Sequence, residues 1–173
     1  MSFLSFSIIK DNNISKNKNG VYFNYSICNK IKGNIISNND KGMHALRSST
    51  NIIKGNIINL NKENGIIIQA SRFNLINKNI ISKNYDGLNI IYYYDSEIYH
   101  FCWYNIILKN NFLNNNRDAF FLDSYYNSNR WIRNYWNKSQ ILPKLIFGKA
   151  IIDENECTWL NIDWRPAIKP HNI

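Results

Sequence analysis

The sequence predicts an all-β fold, a right-handed single-stranded parallel β-helix of about five to six rungs closed by an aromatic-rich irregular cap. Three observations predict it. A motif of Asn, two apolar residues, a polar pair and a second Asn recurs, as "GNIISNNDKG" (33–42), "GNIINLNKENG" (55–65), "KNIISKNYDG" (78–87) and "KNNFLNNNRDA" (109–119). Its period is close to 22 residues and holds no helical segment. Each copy instead carries three short β-favouring runs, such as "VYFN", "NKIK" and "NIIS", separated by Asn, Lys and Gly. β-Branched residues suit buried pleated surfaces, and Leu is too scarce for a leucine-rich repeat.

Four registers agree along the chain. The anchoring Asn falls at Asn12, Asn34, Asn56, Asn79 and Asn110, with spacings of 22, 22, 23 and 31. Five residues later stand Asn17, Asn39, Asn61, Asn84 and Asn115, and five earlier Ser7, Asn29, Asn51, Asn74 and Asn105. Gly20, Gly42, Gly65, Gly87 and then Ala119 follow eight or nine residues after the anchor. The last spacing is longer because residues are inserted between Gly87 and Asn105, around "YYYDSEIYHFCWY".

Each run has a physical role. Alternation after the Gly places Val21 and Phe23, Met43 and Ala45, Ile66 and Ile68, Leu88 and Ile90, Phe120 and Leu122 on one face, all apolar, which makes that face the core. The opposite face then carries Tyr22, His44, Ile67, Asn89 and Phe121, with Asn24, Leu46, Gln69, Ile91 and Asp123 beside them. Asn and Gly tolerate the left-handed corners that end each run, and an amide both donates and accepts, so equivalent Asn residues can bond from rung to rung as a structural ladder.

Composition agrees with a folded chain. There are 32 Asn and 30 Ile among 173 residues, against 7 Gly and 3 Pro, and so much Ile excludes a disordered polar tract. A net charge of +9 permits an acidic partner without demanding one. Cys28, Cys102 and Cys157 form neither a disulfide framework nor a metal-binding pair, and are read as free thiols. No stretch approaches the roughly 20 apolar residues of a membrane helix, and "MSFLSFSIIKDNN" does not read as a signal peptide.

Residues 1–124 are read as the repeat array, with the insertion at 92–104, and 125–173 as a capping segment. The array opens inside a rung, so the N-terminus reads as truncated from a longer parent. From Tyr125 aromatics gather in "YYNSNRWIRNYWNK", and Trp131 and Trp136 are assigned a structural role in the cap, because open strand edges must be covered.

The Asn-Ile-Ile repeats followed by "NRWIRNYW" resemble the NosD-type (periplasmic copper-binding) β-helix proteins, over about residues 7–140. The wider group includes carbohydrate-binding and sugar-hydrolase β-helix domains. The resemblance implies a protein of the extracellular space, cell surface or periplasm, and copper as the metal to consider. The candidate donors are few: His100 and Cys102 two apart, Met43 beside His44, and a distant His171, too few for a metal site.

Candidate functional residues follow. Sugar cleavage needs clustered carboxylates, and the only stacked acids, Asp40, Glu63, Asp86 and Asp118, lie beside Lys41, Lys62, Lys83 and Arg117. They could hold calcium, but acid before Gly is ordinary turn chemistry. Lys10, Lys32 and Lys54 form a cationic column, either a solvated edge or a surface for an anionic chain. Tyr92, Tyr93, Tyr94, Tyr99, Trp103 and Tyr104 crowd the insertion, where aromatic faces suit sugar rings. The reading is a non-catalytic surface module, structural or carbohydrate-binding, that needs no cofactor and whose partner is a glycan or cell-surface component rather than nucleic acid. The alternatives are a fragment of a polysaccharide lyase or hydrolase acting on acidic sugars, and a NosD-type metal-handling protein.

Overall fold

The computed structural model describes residues 4–124 and 128–173, so Tyr125 and Tyr126 of the expected cap lie outside the described residues. Three strands make each rung. The first holds β1 (Ile8–Lys10), β2 (Asn13–Ser15) and β3 (Asn19–Asn24), and the second β4 (Lys30–Lys32), β5 (Ile35–Ser37) and β6 (Lys41–Leu46). The third holds β7 (Ile52–Lys54), β8 (Ile57–Asn59) and β9 (Asn64–Gln69), and the fourth β10 (Leu75–Asn77), β11 (Ile80–Ser82) and β12 (Asp86–Ile91). A small hairpin, β13 (Tyr93–Asp95) and β14 (Ile98–His100), then precedes a fifth rung of β15 (Ile106–Leu108), β16 (Asn111–Leu113) and β17 (Arg117–Ser124). The sixth rung is partial, β18 (Arg130–Ile132) and β19 (Tyr135–Trp136), and a long hairpin, β20 (Lys144–Ile152) and β21 (Asn155–Asp163), ends the chain's strands. Among the described residues no helix is long and apolar enough to cross a membrane.

Equivalent strands pair in parallel and in register, which stacks like residues into the core. Ile31, Ile53, Ile76 and Ile107 form one column, Ile36, Ile58, Ile81 and Phe112 another, and all eight are fully buried. Each such side chain contributes about 2–3 kcal/mol of apolar burial. Trp131 and Trp136 continue these columns on the sixth rung, with Trp136 stacked on Phe112 at 4.5 Å. Parallel pairing therefore runs beyond residue 124, through β18 and β19. The terminal hairpin then lies between β17 and β18 and joins the first and third faces into one 13-stranded sheet.

Asn ladders hold the corners. The Oδ1 of Asn56 accepts the backbone N–H and the side-chain amide of Asn34, both at 3.0 Å. Its own amide donates to the Ile31 carbonyl at 3.0 Å and to Asn79 Oδ1 at 2.9 Å. The corner turns a backbone N–H toward the next rung where no carbonyl faces it, and the side-chain oxygen supplies the acceptor. The ladder from Asn12 runs through Asn34, Asn56, Asn79, Asn110 and Asn134 to Asp163. A second joins Asn17, Asn39, Asn61, Asn84 and Asn115, and a third joins Asn29, Asn51, Asn74, Asn105 and Asn129. A fourth has no Asn: Ser26, Ser48, Ser71, Cys102 and Asp123 bond in the same way.

Two expectations are corrected. The left-handed residue at each corner is the one before the ladder Asn, such as Asp11, Gly33, Gly55, Lys78 and Lys109, with φ between 52° and 65°. Gly20, Gly42, Gly65 and Gly87 are required for space instead: a Cβ on Gly42 would lie 2.5 Å from the Gly65 carbonyl oxygen and 2.9 Å from Asn61 Nδ2. The fifth rung is also shifted by one residue. Leu88 pairs with Ala119 and Ile90 with Phe121, so Phe121 is core and Phe120 faces outward beside Asn89. Asn84 and Asn115 are 31 residues apart, which puts Asp118 rather than Ala119 against Gly87. Asp123 is buried at the ladder corner and not on the outer face.

Candidate functional site

The site lies along one edge of the solenoid. Between the Ser-Cys ladder and the neighbouring Asn ladder each rung has two residues: Ile27-Cys28, Ser49-Thr50, Arg72-Phe73 and Trp103-Tyr104. Cys28, Thr50, Phe73 and Tyr104 have φ of 55–58°, a conformation that turns their side chains out of the core. On the third and fourth rungs the exposed residues become large and aromatic. Phe73 and Tyr104 are more than half exposed and stack at 5.2 Å with 9° between their planes. Beside them the Arg72 guanidinium lies 5.1 Å over the Trp103 ring, a cation–π contact.

The β13–β14 hairpin projects from the adjacent corner. Ser96 and Glu97 both have positive φ, as its tight turn requires, and it pairs with no other strand among the described residues. It folds back over the second rung, where Asp95 accepts from Arg47 and lies 2.8 Å from His100 Nε2. The Arg47 guanidinium also donates to the Tyr25 hydroxyl and sits 4.7 Å from the Tyr93 ring and 5.2 Å from the Tyr25 ring. The hydrogen bond from Arg47 holds the Asp95 carboxyl below its ordinary value, with His100 adding to the effect.

The insertion aromatics divide between two faces. Tyr93 turns to Arg47, whereas Tyr99 packs on Tyr92, Tyr94 and Phe101 at 5.3, 4.7 and 5.7 Å. Burial pushes the Tyr92 phenol up. Trp103 and Tyr104 belong to the edge platform with Phe73 and Arg72, which the sequence reading did not single out. Their signal was present as "SST", "SRF" and "CWY" at equivalent positions of successive rungs.

The acids do not form one shared column. Lys62 pairs with Asp40 at 2.9 Å, Lys41 with Glu63 at 3.1 Å, and Arg117 holds Asp86 with two bonds of 2.9 and 2.7 Å. Asp118 accepts from the Asn115 amide at 3.1 Å, and its burial raises its pKa, while the Lys62 hydrogen bond lowers that of Asp40. Register places Lys10, Lys32 and Lys54 in one exposed column, with Lys10 bonded to Asp11 at 2.9 Å.

Parallel strands, a stacked aliphatic core and amide ladders define the class as a parallel β-helix solenoid. The chain belongs to the NosD family, described as periplasmic copper-binding protein (NosD), whose match covers residues 3–155. Among solved structures it is similar to the Azotobacter vinelandii mannuronan C-5 epimerase AlgE4 A-module, at 14% identity and TM-score 0.49, over 78% of this chain and 46% of that one. The AlgE6 A-module of the same organism is similar at 11% identity and TM-score 0.47, over 76% and 48%. The chain thus spans about half the length of each. Among curated proteins none matches the chain.

The family description implies copper, and the donors described here do not fit it. Met43 is sealed in the core. Cys102 is fully buried, its thiol pushed well up by that burial and donating to the Ile68 and Ile91 carbonyls, so it serves as a ladder rung. His100 is bonded to Asp95 and His44 Nε2 to Gln69 Oε1 at 3.0 Å. No three His, Cys, Asp or Glu side chains among the described residues converge.

Proposed function

We propose that this chain is a non-catalytic carbohydrate-binding module that presents the edge platform of Phe73, Tyr104, Trp103 and Arg72 to a glycan. The observation that carries the reading is the exposed, parallel stack of Phe73 and Tyr104 on a rigid scaffold. Flat apolar ring faces suit the C–H faces of sugars, and rungs held at fixed spacing cost little ordering on binding. The pairing of Asp40, Glu63 and Asp86 with cations supports a binding role over hydrolysis, which needs a free acid and base. Secretion to the cell surface or periplasm accords with a family described as periplasmic.

A glycan array probed with the intact chain tests the reading. Binding is expected for at least one glycan class, and the double substitution Phe73→Ala, Tyr104→Ala is expected to remove it while the melting temperature holds. Binding unaffected by that double substitution, or none at all, overturns the proposal.

A further inference from the structure

One small residue shapes the cleft beside the platform. At equivalent corners of successive rungs stand Tyr25, Arg47 and Ala70, all with φ of 48–50°. Where the first two project large side chains, Ala70 leaves a notch of about 740 Å³. Arg72, Phe73, Asp95, His100 and Ser49 are among the residues that line it. Arg47 is engaged with Asp95 and Tyr25 and is closed to a ligand. Arg72 is exposed, its guanidinium 5.1 Å from the centre of the Trp103 ring, and bonded to no carboxylate among the described residues. A guanidinium resting against an aromatic ring keeps its planar donor fork open to a ligand.

We propose that the notch is a subsite for a carboxylated glycan, with Arg72 binding the carboxylate of a uronate-type sugar whose ring lies against Phe73. The inference rests on the carbohydrate reading above. A guanidinium matches a carboxylate with two parallel hydrogen bonds, which a neutral sugar cannot reproduce. Sugar hydroxyls reach the remaining lone pairs of Asp95 and the hydroxyl of Ser49, the ordinary partners of a polyol. The chain's net charge of +9 draws such a polyanion in.

The test is calorimetric titration of the intact chain with uronate oligosaccharides of several linkages, each paired with its methyl ester. Esterification removes the charge and keeps the ring. The acids are expected to bind at least about tenfold more tightly than their esters, because charge-assisted bonds are the stronger ones. Arg72→Gln erases that difference. Ala70→Tyr fills the notch with a side chain that the same corner accepts at Tyr25, and abolishes binding of the acids. Should Ala70→Tyr fail to fold, Arg72→Gln at an exposed position decides alone. Equal binding of acid and ester, still lost in Phe73→Ala, overturns the carboxylate subsite and leaves the carbohydrate reading standing. Binding of neither acid nor ester overturns the carboxylate subsite, while the carbohydrate reading stands or falls on the glycan array.

Discussion

Asp163 ends the ladder that Asn134 carries: its Oδ2 accepts the Asn134 backbone N–H at 2.8 Å and the Asn134 amide at 3.1 Å. The same oxygen accepts the Trp136 indole N–H at 3.2 Å, and Oδ1 accepts the Arg133 N–H at 3.0 Å. An ionised carboxylate only accepts, so it stops a chain of bonds that an amide would pass on. Asp163→Ala leaves several buried donors without partners and is expected to cost about 3 kcal/mol, with Asp163→Asn milder. Urea denaturation measures both, and equal losses would disprove the terminator role.

In mid-ladder, Asn56→Ala leaves the buried Asn34 backbone N–H without its acceptor and removes the amide bonds to Asn34, Ile31 and Asn79. A loss of about 3–4 kcal/mol is expected, well above that of Asn12→Ala on the exposed first rung. Similar losses for the two would show that the ladder does not strengthen with burial.

Two glycines separate crowding from backbone conformation. Gly42→Ala forces a Cβ against the Gly65 carbonyl and is expected to cost about 3 kcal/mol. Gly55 has φ of 65° and open space around it, so Gly55→Ala costs only about 1 kcal/mol. Thermal unfolding of the pair gives the order, and the reverse order would refute this assignment.

Cys102 occupies a position filled by Ser71, Ser48 and Ser26 on preceding rungs. Cys102→Ser is expected to fold, and Cys102→Ala to lose about 1–2 kcal/mol through the unpaired Ser71 N–H. In the native protein a thiol reagent should modify exposed Cys157 first and reach Cys102 only on unfolding. Early labelling of Cys102 would contradict its burial.

His44 gives a pH dependence. Burial pushes its imidazole below the ordinary value of 6.5, reinforced by Lys41 and opposed by the Gln69 hydrogen bond. The unfolded chain then binds the proton more readily, so this stability is complete above pH 6.5 and falls away as the pH drops toward the folded value. Denaturation midpoints should decline on acidification through that range more in the wild type than in His44→Gln. An equal decline in both would exclude His44 as the cause.

The repeat was legible because Asn34, Asn56 and Asn79 recur at almost constant spacing, and chemistry follows spacing when every rung is alike. Past Asn134 the signal failed where composition changed: Asp163, at the end of β21, replaces Asn, and β20 and most of β21 precede it in the chain. The Gly87 column slipped because Ala119 resembles a small corner residue better than Asp118 does. Ion pairing of Asp86 with Arg117 was hidden for a related reason, since it depends on register 31 residues away. The edge platform was half seen. Tyr104 stood out within an aromatic-rich insertion, whereas its stacking partner Phe73 sat alone in a polar stretch.

The corners of this solenoid have a consequence for its evolution. Because the ladder side chain, Asn or Ser, secures the turn, the residue before it takes the left-handed conformation whatever its side chain, as Tyr25, Arg47, Leu60, Ala70 and Phe73 do. Those side chains point away from the core, so selection can rewrite them one turn at a time while the packing beneath stays the same. Specificity in such a molecule is inscribed at its corners, and a new binding preference requires no new fold.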